Sequence, residues 1–127
     1  MSPAQIALKP VSHEVILDSG RCPSCERPEP LINPGETRRV SVDPQCIFRG
    51  EEVVPIDGVD YEAFDIESIL VGGTRQFDQS LLPATRLFGS PIPFTTCKVG
   101  IHITFVVINK SSEPKRFAVK IVGRAIL

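Results

Sequence analysis

Aromatic and imidazole side chains are scarce in this chain of 127 residues, which has no tryptophan, one tyrosine and two histidines. Nucleic acid bases stack on such rings, and a sugar-binding surface would need them too. A binding surface built from stacked rings is therefore not expected. With only two histidines, a metal site made from three or more imidazoles is also excluded.

The chain also lacks an excess of either charge. Its 14 basic and 15 acidic residues give a net charge of −1, and no run of lysine and arginine exceeds two residues. Such a surface has no large field to attract phosphates, so we expect no nucleic acid partner. No stretch approaches the ~20 apolar residues that cross a bilayer. The first residues show no basic segment followed by an apolar one, so we expect neither a membrane span nor a secretory signal.

Motifs of the common catalytic sites are missing as well. The chain contains no Gly-x-Ser-x-Gly nucleophile elbow and no phosphate-binding Gly-x-x-x-x-Gly-Lys loop. Its double glycine, Gly72-Gly73, predicts a turn. Carboxylates gather at Glu51-Glu52 and within residues 57–67, but the ordered oxygen ligands of a calcium loop are absent. We therefore expect a solvated acidic surface, no enzyme activity and no cofactor.

The chain is rich in short apolar segments separated by turn residues. Apolar residues make up 42% of it, among 12 prolines and 9 glycines. Turn signals about every 8–12 residues are typical of sandwiches and barrels. The pattern predicts an all-β fold, an antiparallel β-sandwich with eight or nine short strands. The main candidates are residues 13–18, 36–42, 45–49, 52–56, 60–71, 101–108 and 116–127.

Two of these candidates need comment. Residues 60–71 fit a helix or a strand, and the neighbouring strands favour a strand. Residues 52–56 are predicted at a sheet edge, because Pro55 has no backbone N–H to donate.

The last two apolar segments, residues 101–108 and 116–127, are joined by one polar turn and predict a β-hairpin. Alternation turns one set of their side chains toward the core: Phe105, Val107, Phe117, Val119 and Ile121. The other face of the final segment carries Val122 and Ile126 beside basic residues. A strand that is apolar on both sides is central in a sandwich or covered by a neighbouring copy.

Basic residues alternate with apolar neighbours in several of these segments, which predicts that they lie on outward faces. Arginine is favoured at interfaces, where it pairs with carboxylates. Basic strand faces beside acidic loops therefore suit self-association, although a mixed solvated surface explains them too. The positions are Arg38, Arg39, Arg49, Arg75, Lys115, Arg116, Lys120 and Arg124.

The first part of the chain differs from the rest. Residues 1–35 predict an extended N-terminal arm, with one short strand candidate, and a proline-rich loop that carries a Cys-x-x-Cys pair. Residues 36–127 predict the β-sandwich domain. The loop, residues 19–35, is longer than most connections in compact domains, which marks it as a special feature.

Cys22 and Cys25 are the candidate metal ligands, because two thiolates at this spacing can chelate one zinc ion. His13 is a possible third ligand, and others would come from distant residues or another copy. Free thiols, a local disulfide and a thioredoxin-like redox pair remain alternatives. The redox reading requires a helix after Cys22, which Pro28 and Pro30 disfavour. No metal is therefore the first expectation and zinc the second.

The remaining cysteines and histidine have simpler interpretations. Cys46 and Cys97 lie in apolar, strand-like surroundings and predict small buried hydrophobic side chains. His102 lies inside an apolar segment, where a structural histidine is favoured over a ligand or a base.

The strand pattern of residues 36–127, and above all the closing segment Ile101–Leu127 with Asn109-Lys110-Ser111-Ser112-Glu113-Pro114 at its turn, resembles that of small single jelly-roll proteins of viral and phage particles. These are capsid, minor capsid and capsid-decoration subunits. The resemblance implies a jelly-roll-like sandwich, a structural role and location in the virion. It also implies copies of itself, and other shell proteins, as partners, with the arm and loop as clamps between subunits. The alternative is a non-enzymatic binding module for a carbohydrate or a protein, located in the cytoplasm.

Overall fold

The structure is a computed structural model that describes residues 9–20, 30–77, 81–89 and 91–127. Its strands are β1 (Val11–Asp18), β2 (Thr37–Val42), β3 (Ile47–Pro55), β4 (Phe64–Val71), β5 (Thr74–Arg75), β6 (Leu82–Pro83), β7 (Ile103–Asn109) and β8 (Ala118–Ile126). Two short 3-10 turns, Tyr61–Ala63 and Ala84–Leu87, precede β4 and follow β6. The prediction of an all-β fold is confirmed.

The strands form two antiparallel sheets. The three-stranded sheet has the order β1-β8-β3, and the five-stranded sheet has the order β2-β7-β4-β5, with β6 paired to β4. Residues 92–97 run along the other edge of β3, where Phe48 and Cys97 exchange backbone hydrogen bonds of 2.9 and 2.6 Å. The sheets therefore extend beyond the strands named above.

The pairing follows the rule of a jelly roll, in which a long antiparallel ribbon folds over a core. Its first strand pairs with its last, the second with the one before the last, and so on. Here β1 pairs with β8, β2 with β7 and β4 with β5. Residues 92–97 pair with β3 and take the place of the sixth strand of the ribbon. The sandwich is therefore jelly-roll-like, as expected from the strand pattern.

The core lies between the two sheets. Four phenylalanines are fully buried there, and Phe64 and Phe117 meet edge to face with ring centroids 5.2 Å apart. The side chains predicted to face the core are all buried: Phe105, Val107, Phe117, Val119 and Ile121.

The predicted C-terminal hairpin is wrong. β7 and β8 do not pair with each other, because β7 lies between β2 and β4 in one sheet while β8 lies between β1 and β3 in the other. Residues 110–117 cross from one sheet to the other. Both strands are apolar along most of their length because each is central in its own sheet, and a central strand is covered on both edges and at least one face.

Three other boundaries differ from expectation. The predicted strands 45–49 and 52–56 are one strand, β3, whose register shifts at a β-bulge between Gly50 and Glu52. Residues 64–71 form a strand after a short 3-10 turn, so the preference for strand is confirmed. β1 belongs to the three-stranded sheet, so the sandwich includes residues that the sequence pattern assigns to the arm.

Candidate functional site

The outward side of the three-stranded sheet carries exposed apolar side chains beside charged ones. Successive residues of a strand point to opposite sides of a sheet, so alternate residues of β1, β8 and β3 form this surface. We call it the outer face. Its residues are Ser12, Glu14 and Ile16 of β1, Lys120, Val122, Arg124 and Ile126 of β8, and Ile47, Arg49, Glu52 and Val54 of β3.

Apolar side chains lie at both ends of the outer face. Ile47 and Ile126 are directly opposite each other at one end, where Ile47 is 39% exposed. Ile16 lies at the other end and is 44% exposed, and Val54 is half-buried. These branched side chains face solvent on an ordered sheet, which is a surface that a partner could cover.

Charges of opposite sign occupy the two middle rows. Arg49 of β3 lies opposite Arg124 of β8, and we call this pair the basic row. In the next row Glu14 and Glu52 lie on either side of Val122, and we call these glutamates the acidic row. Arg49 and Arg124 are like charges directly opposite each other, which disfavours pairing within a sheet, so the basic row is better satisfied by a partner of the opposite charge.

The ion pairs on this face are loose. Lys120 Nζ lies 3.6 Å from a carboxylate oxygen of Glu14, and Arg124 Nε lies 3.6 Å from one of Glu51. Both distances exceed the usual range of a hydrogen bond. Among the described residues, Arg49 and Glu52 take part in no ion pair. The face therefore retains charge that its own residues do not neutralise.

A groove of about 450 Å³ crosses the end of the outer face that holds the basic row. Its lining includes both arginines of that row, the two isoleucines beside them, and Glu51, which lies 3.6 Å from Arg124 Nε. Pro10 and Thr96 contribute from outside the three strands. Two guanidinium groups beside apolar side chains can receive a carboxylate that belongs to a partly apolar surface.

Of the metal ligands predicted from sequence, only His13 falls within the described residues. Its ring is half-buried on β1 and meets Phe48 edge to face, with centroids 5.9 Å apart. Cys22 and Cys25 lie outside the described residues, so a zinc site at this pair remains a prediction. His102 is exposed and precedes β7, rather than lying inside an apolar strand as expected.

Cys46 and Cys97 are buried free thiols, as their apolar surroundings predict. The Cys97 thiol donates a hydrogen bond to the carbonyl oxygen of Ile101 at 3.0 Å. Burial raises the pKa of Cys97 above its ordinary value, and the charges of Asp43 and Cys46 raise it further. Because the thiolate is the nucleophilic form, Cys97 is arranged as a structural thiol.

An ion pair that the sequence did not reveal joins a buried carboxylate at the end of β1 to a partly exposed arginine just before β8. The side chain of Asp18 is 4% exposed and accepts two hydrogen bonds from Arg116, at 3.0 and 2.6 Å. Next to it, Ser19 accepts a hydrogen bond from the backbone of Phe117. The pairing of β1 with β8 brings these residues together across 98 positions, and no local sequence signal records it.

The basic residues were predicted on outward faces. Arg49, Lys120 and Arg124 lie there, but Arg38 is only 8% exposed, and its Nε donates a hydrogen bond of 2.7 Å to Glu36. The reason is the register of β2, in which Arg38 shares the inward side with Val40. Glu52 is predicted at the start of a strand and on a solvated acidic surface, but the bulge that turns it onto the outer face beside Arg49 leaves no mark in the sequence.

Within the described ranges, no group of three or more His, Cys, Asp and Glu side chains is placed to hold a metal ion. No helix in this part of the chain is long and apolar enough to cross a membrane. Comparison with models of protein families, with curated proteins and with solved structures found no match to this chain.

Proposed function

We propose that this protein is a structural, self-assembling β-sandwich subunit that builds or decorates a virion shell. The observation that carries the proposal is the outer face. It combines two exposed isoleucines with a basic and an acidic row, in which Arg49 and Glu52 form no ion pair among the described residues. Jelly rolls serve as capsid, lectin and cupin domains alike, so the surface rather than the fold decides among these roles.

The mechanism of such a subunit is burial of surface between identical copies. Apolar groups supply the gain in free energy, because water leaves them on contact. The charged rows supply the register, because only one arrangement brings opposite signs together. The partners are copies of the chain, with other shell proteins at further contacts, and the virion is then its location.

The predicted N-terminal arm and the loop of residues 19–35 supply the second kind of contact in this proposal. β1 begins at Val11 and lies at the edge of the three-stranded sheet. We expect the predicted arm before β1 and the loop after Asp18 to contact a neighbouring copy. Both contacts depend on residues outside the described ranges.

The alternative is a binding module for a protein partner that carries an acidic group. The groove over the basic row favours it, because Arg49 lines the cavity beside a hydroxyl and forms no ion pair among the described residues, whereas Arg124 lies 3.6 Å from Glu51 in the same lining. The groove suits a carbohydrate less well, because no aromatic side chain lines it to stack on a sugar ring.

Light scattering during gel filtration tests the proposal, with electron microscopy of the eluted peak. The purified protein is examined from low to high concentration and at several salt concentrations. The expected result is a mass above the 13.9 kDa of one chain that rises with concentration to a defined stoichiometry. A single 13.9 kDa species under every condition would contradict the proposal.

A further inference from the structure

The outward residues of β3 have an order in which the strand matches a reversed copy of itself: basic residues meet acidic ones and apolar residues meet apolar ones. Along the strand they read Ile47, Arg49, Glu52 and Val54, which is apolar, basic, acidic, apolar. The bulge at residue 51 keeps Arg49 and Glu52 on the same side of the sheet. Laid face to face and antiparallel on a second copy, the strand meets opposite charge with opposite charge and apolar with apolar.

The neighbouring strands continue the same rows across the sheet. Arg124 of β8 extends the row of Arg49, and Glu14 of β1 extends the row of Glu52 beyond Val122. The apolar ends continue as well, because Ile126 lies opposite Ile47, and Ile16 lies in the same row as Val54, on either side of Lys120. The order of β8 does not reverse in the same way, because in this arrangement Arg124 faces Val122 and Lys120 faces Ile126. The reversible pattern is therefore a property of β3, and Arg124 and Glu14 add to its basic and acidic rows.

We infer that two copies of this chain pack outer face to outer face, about a two-fold axis that runs across the strands between the basic row and the acidic row. Arg49 of each copy then faces Glu52 of the other, and Ile47 faces Val54. The inference rests on the proposed function, for which it names one contact surface and the partner. A two-fold contact of this kind uses one patch twice, so each complementary pair forms twice.

The charge pattern decides between a second copy and another occupant. A free anion or a nucleic acid backbone is attracted to the basic row, but the acidic row directly beside it repels the same ligand. A second copy in the two-fold arrangement satisfies both rows at once. The loose pairs of Lys120 with Glu14 and of Arg124 with Glu51, both at 3.6 Å, can rearrange at little cost because such exposed pairs contribute little.

The size of the face sets the strength of the contact. Three strands at the usual spacing are about 14 Å wide and eight residues are about 26 Å long. The flat area of about 400 Å² per copy is roughly half that of a standard interface. The association is therefore weak, visible at high protein concentration, and reduced by salt because charges set its register.

Charge reversal across the axis tests the inference by sedimentation velocity. In the Arg49→Glu variant each reversed residue faces Glu52 of the partner, and in the Glu52→Arg variant it faces Arg49. Each variant alone is expected to associate at least tenfold more weakly than the unmodified protein. An equimolar mixture of the two variants is expected to recover association as a 1:1 complex, because both contacts then join opposite charges.

Matched controls lie elsewhere on the molecule. Glu67→Arg makes the same charge change as Glu52→Arg on another bulged strand, β4, which belongs to the five-stranded sheet. Arg86→Glu matches Arg49→Glu at an exposed site after β6. Both controls are expected to associate as the unmodified protein does. Circular dichroism and thermal melting confirm that all four variants fold.

The outcomes separate this inference from the proposed function. If the unmodified protein associates and both outer-face variants do so equally well, the two-fold contact is overturned while self-assembly stands. If the variants lose association but their mixture does not recover it, the stated register is overturned. Loss from Arg49→Glu alone indicates an anion site in place of a second copy and also overturns it. A protein that stays monomeric throughout contradicts the proposed function itself.

Discussion

Asn109 is fully buried at the end of β7, and its amide uses all of its hydrogen-bonding capacity. Its Nδ2 donates to the carbonyl oxygens of Ile32 and Glu113, each at 2.8 Å. Its Oδ1 accepts from the backbone and the hydroxyl of Ser111, at 2.9 and 2.7 Å. One side chain thus ties the crossing between the sheets to the segment before β2.

Replacing Asn109 with alanine is expected to lower the free energy of unfolding by about 2–4 kcal/mol, because it leaves buried carbonyl groups without donors. Urea denaturation monitored by circular dichroism measures the change. Ser112→Ala is the matched control, since Ser112 is exposed in the same turn, and its effect is expected within about 0.5 kcal/mol. Equal effects of the two substitutions would contradict the role given to Asn109.

The raised pKa of Cys97 makes stability depend on pH in the alkaline range. The unfolded thiol loses its proton near pH ~8.5, whereas the buried thiol keeps it to higher pH. Stability from this group is therefore complete below pH ~8.5 and declines as pH rises toward the folded pKa, with a slope of at most about 1.4 kcal/mol per pH unit.

Denaturation of the reduced protein at pH values from 7.5 to 9.5 tests this dependence. Cys97→Val keeps an apolar side chain at the site and is expected to show a shallower decline than the unmodified protein. The pKa of Tyr61 is also raised, chiefly by burial, but the unfolded tyrosine titrates near pH ~10 and so acts above this range. Identical slopes in both proteins would show that Cys97 carries no such linkage.

At the scale of elements, the pairing of β3 with β8 depends on two glycines that face each other at the bulge. Gly50 lies opposite Gly123. A Cβ atom at position 123 would overlap the carbonyl oxygen of Arg49, and one at position 50 would overlap the ring of Phe94. The close approach of the two backbones is thus what permits the bulge that places Glu52 on the outer face.

Gly123→Ala is expected to destabilise the protein by about 3 kcal/mol or more, because the atom it meets belongs to backbone that cannot rotate away. Thermal melting and the yield of soluble protein measure the effect. Gly73→Ala is the control, because a Cβ atom there meets nothing within 4 Å. A Gly123→Ala variant that melts with the control would show that the strands are further apart than described.

The elements that could be predicted from the sequence are those that depend on local patterns along the chain. Alternation and turn residues are local, so β2, β4 and the inward side chains of β7 and β8 were found. Pairing between strands is not local, and two consecutive apolar strands fit a hairpin as well as two central strands of opposite sheets. The bulge in β3 also has no recognisable sequence signal, because Gly50 looks like a break between two separate strands.

The same distinction applies to the outer face. Alternation predicted that Arg49, Lys120 and Arg124 face outward, and this much of the site was visible in the sequence. Which acidic residues lie beside them depends on the register of β8 with β1 and β3 and on the bulge. The ion pair of the buried Asp18 with Arg116 was missed for the same reason.

At the scale of the whole molecule, the two sheets differ in how they treat their outward polar groups. On the five-stranded sheet the hydroxyls of Ser41 and Thr104 are hydrogen-bonded at 2.8 Å, and Lys110 lies 3.1 Å from Asp65. On the three-stranded sheet the corresponding ion pairs are 3.6 Å apart. The five-stranded sheet satisfies these groups internally, whereas the outer face leaves its charged rows available to a second copy.

This asymmetry is the basis of the functional proposal. A sandwich whose three-stranded sheet carries a reversible charge order on β3 can join copies through that sheet. Further contacts, from residues outside the described ranges or from other proteins, are then needed to extend pairs into a shell. Weak contacts suit such an assembly, because many of them act together and each can still correct its register.

The most direct test of the central claim is a dilution series of amide spectra by nuclear magnetic resonance, for which a chain of 13.9 kDa is well suited. If copies associate through the outer face, amide signals of β3, β8 and β1 shift with protein concentration, and added salt reverses the shift. Signals of the five-stranded sheet stay constant. Spectra that do not change with concentration, or changes confined to β2, β7 and β4, would contradict the account.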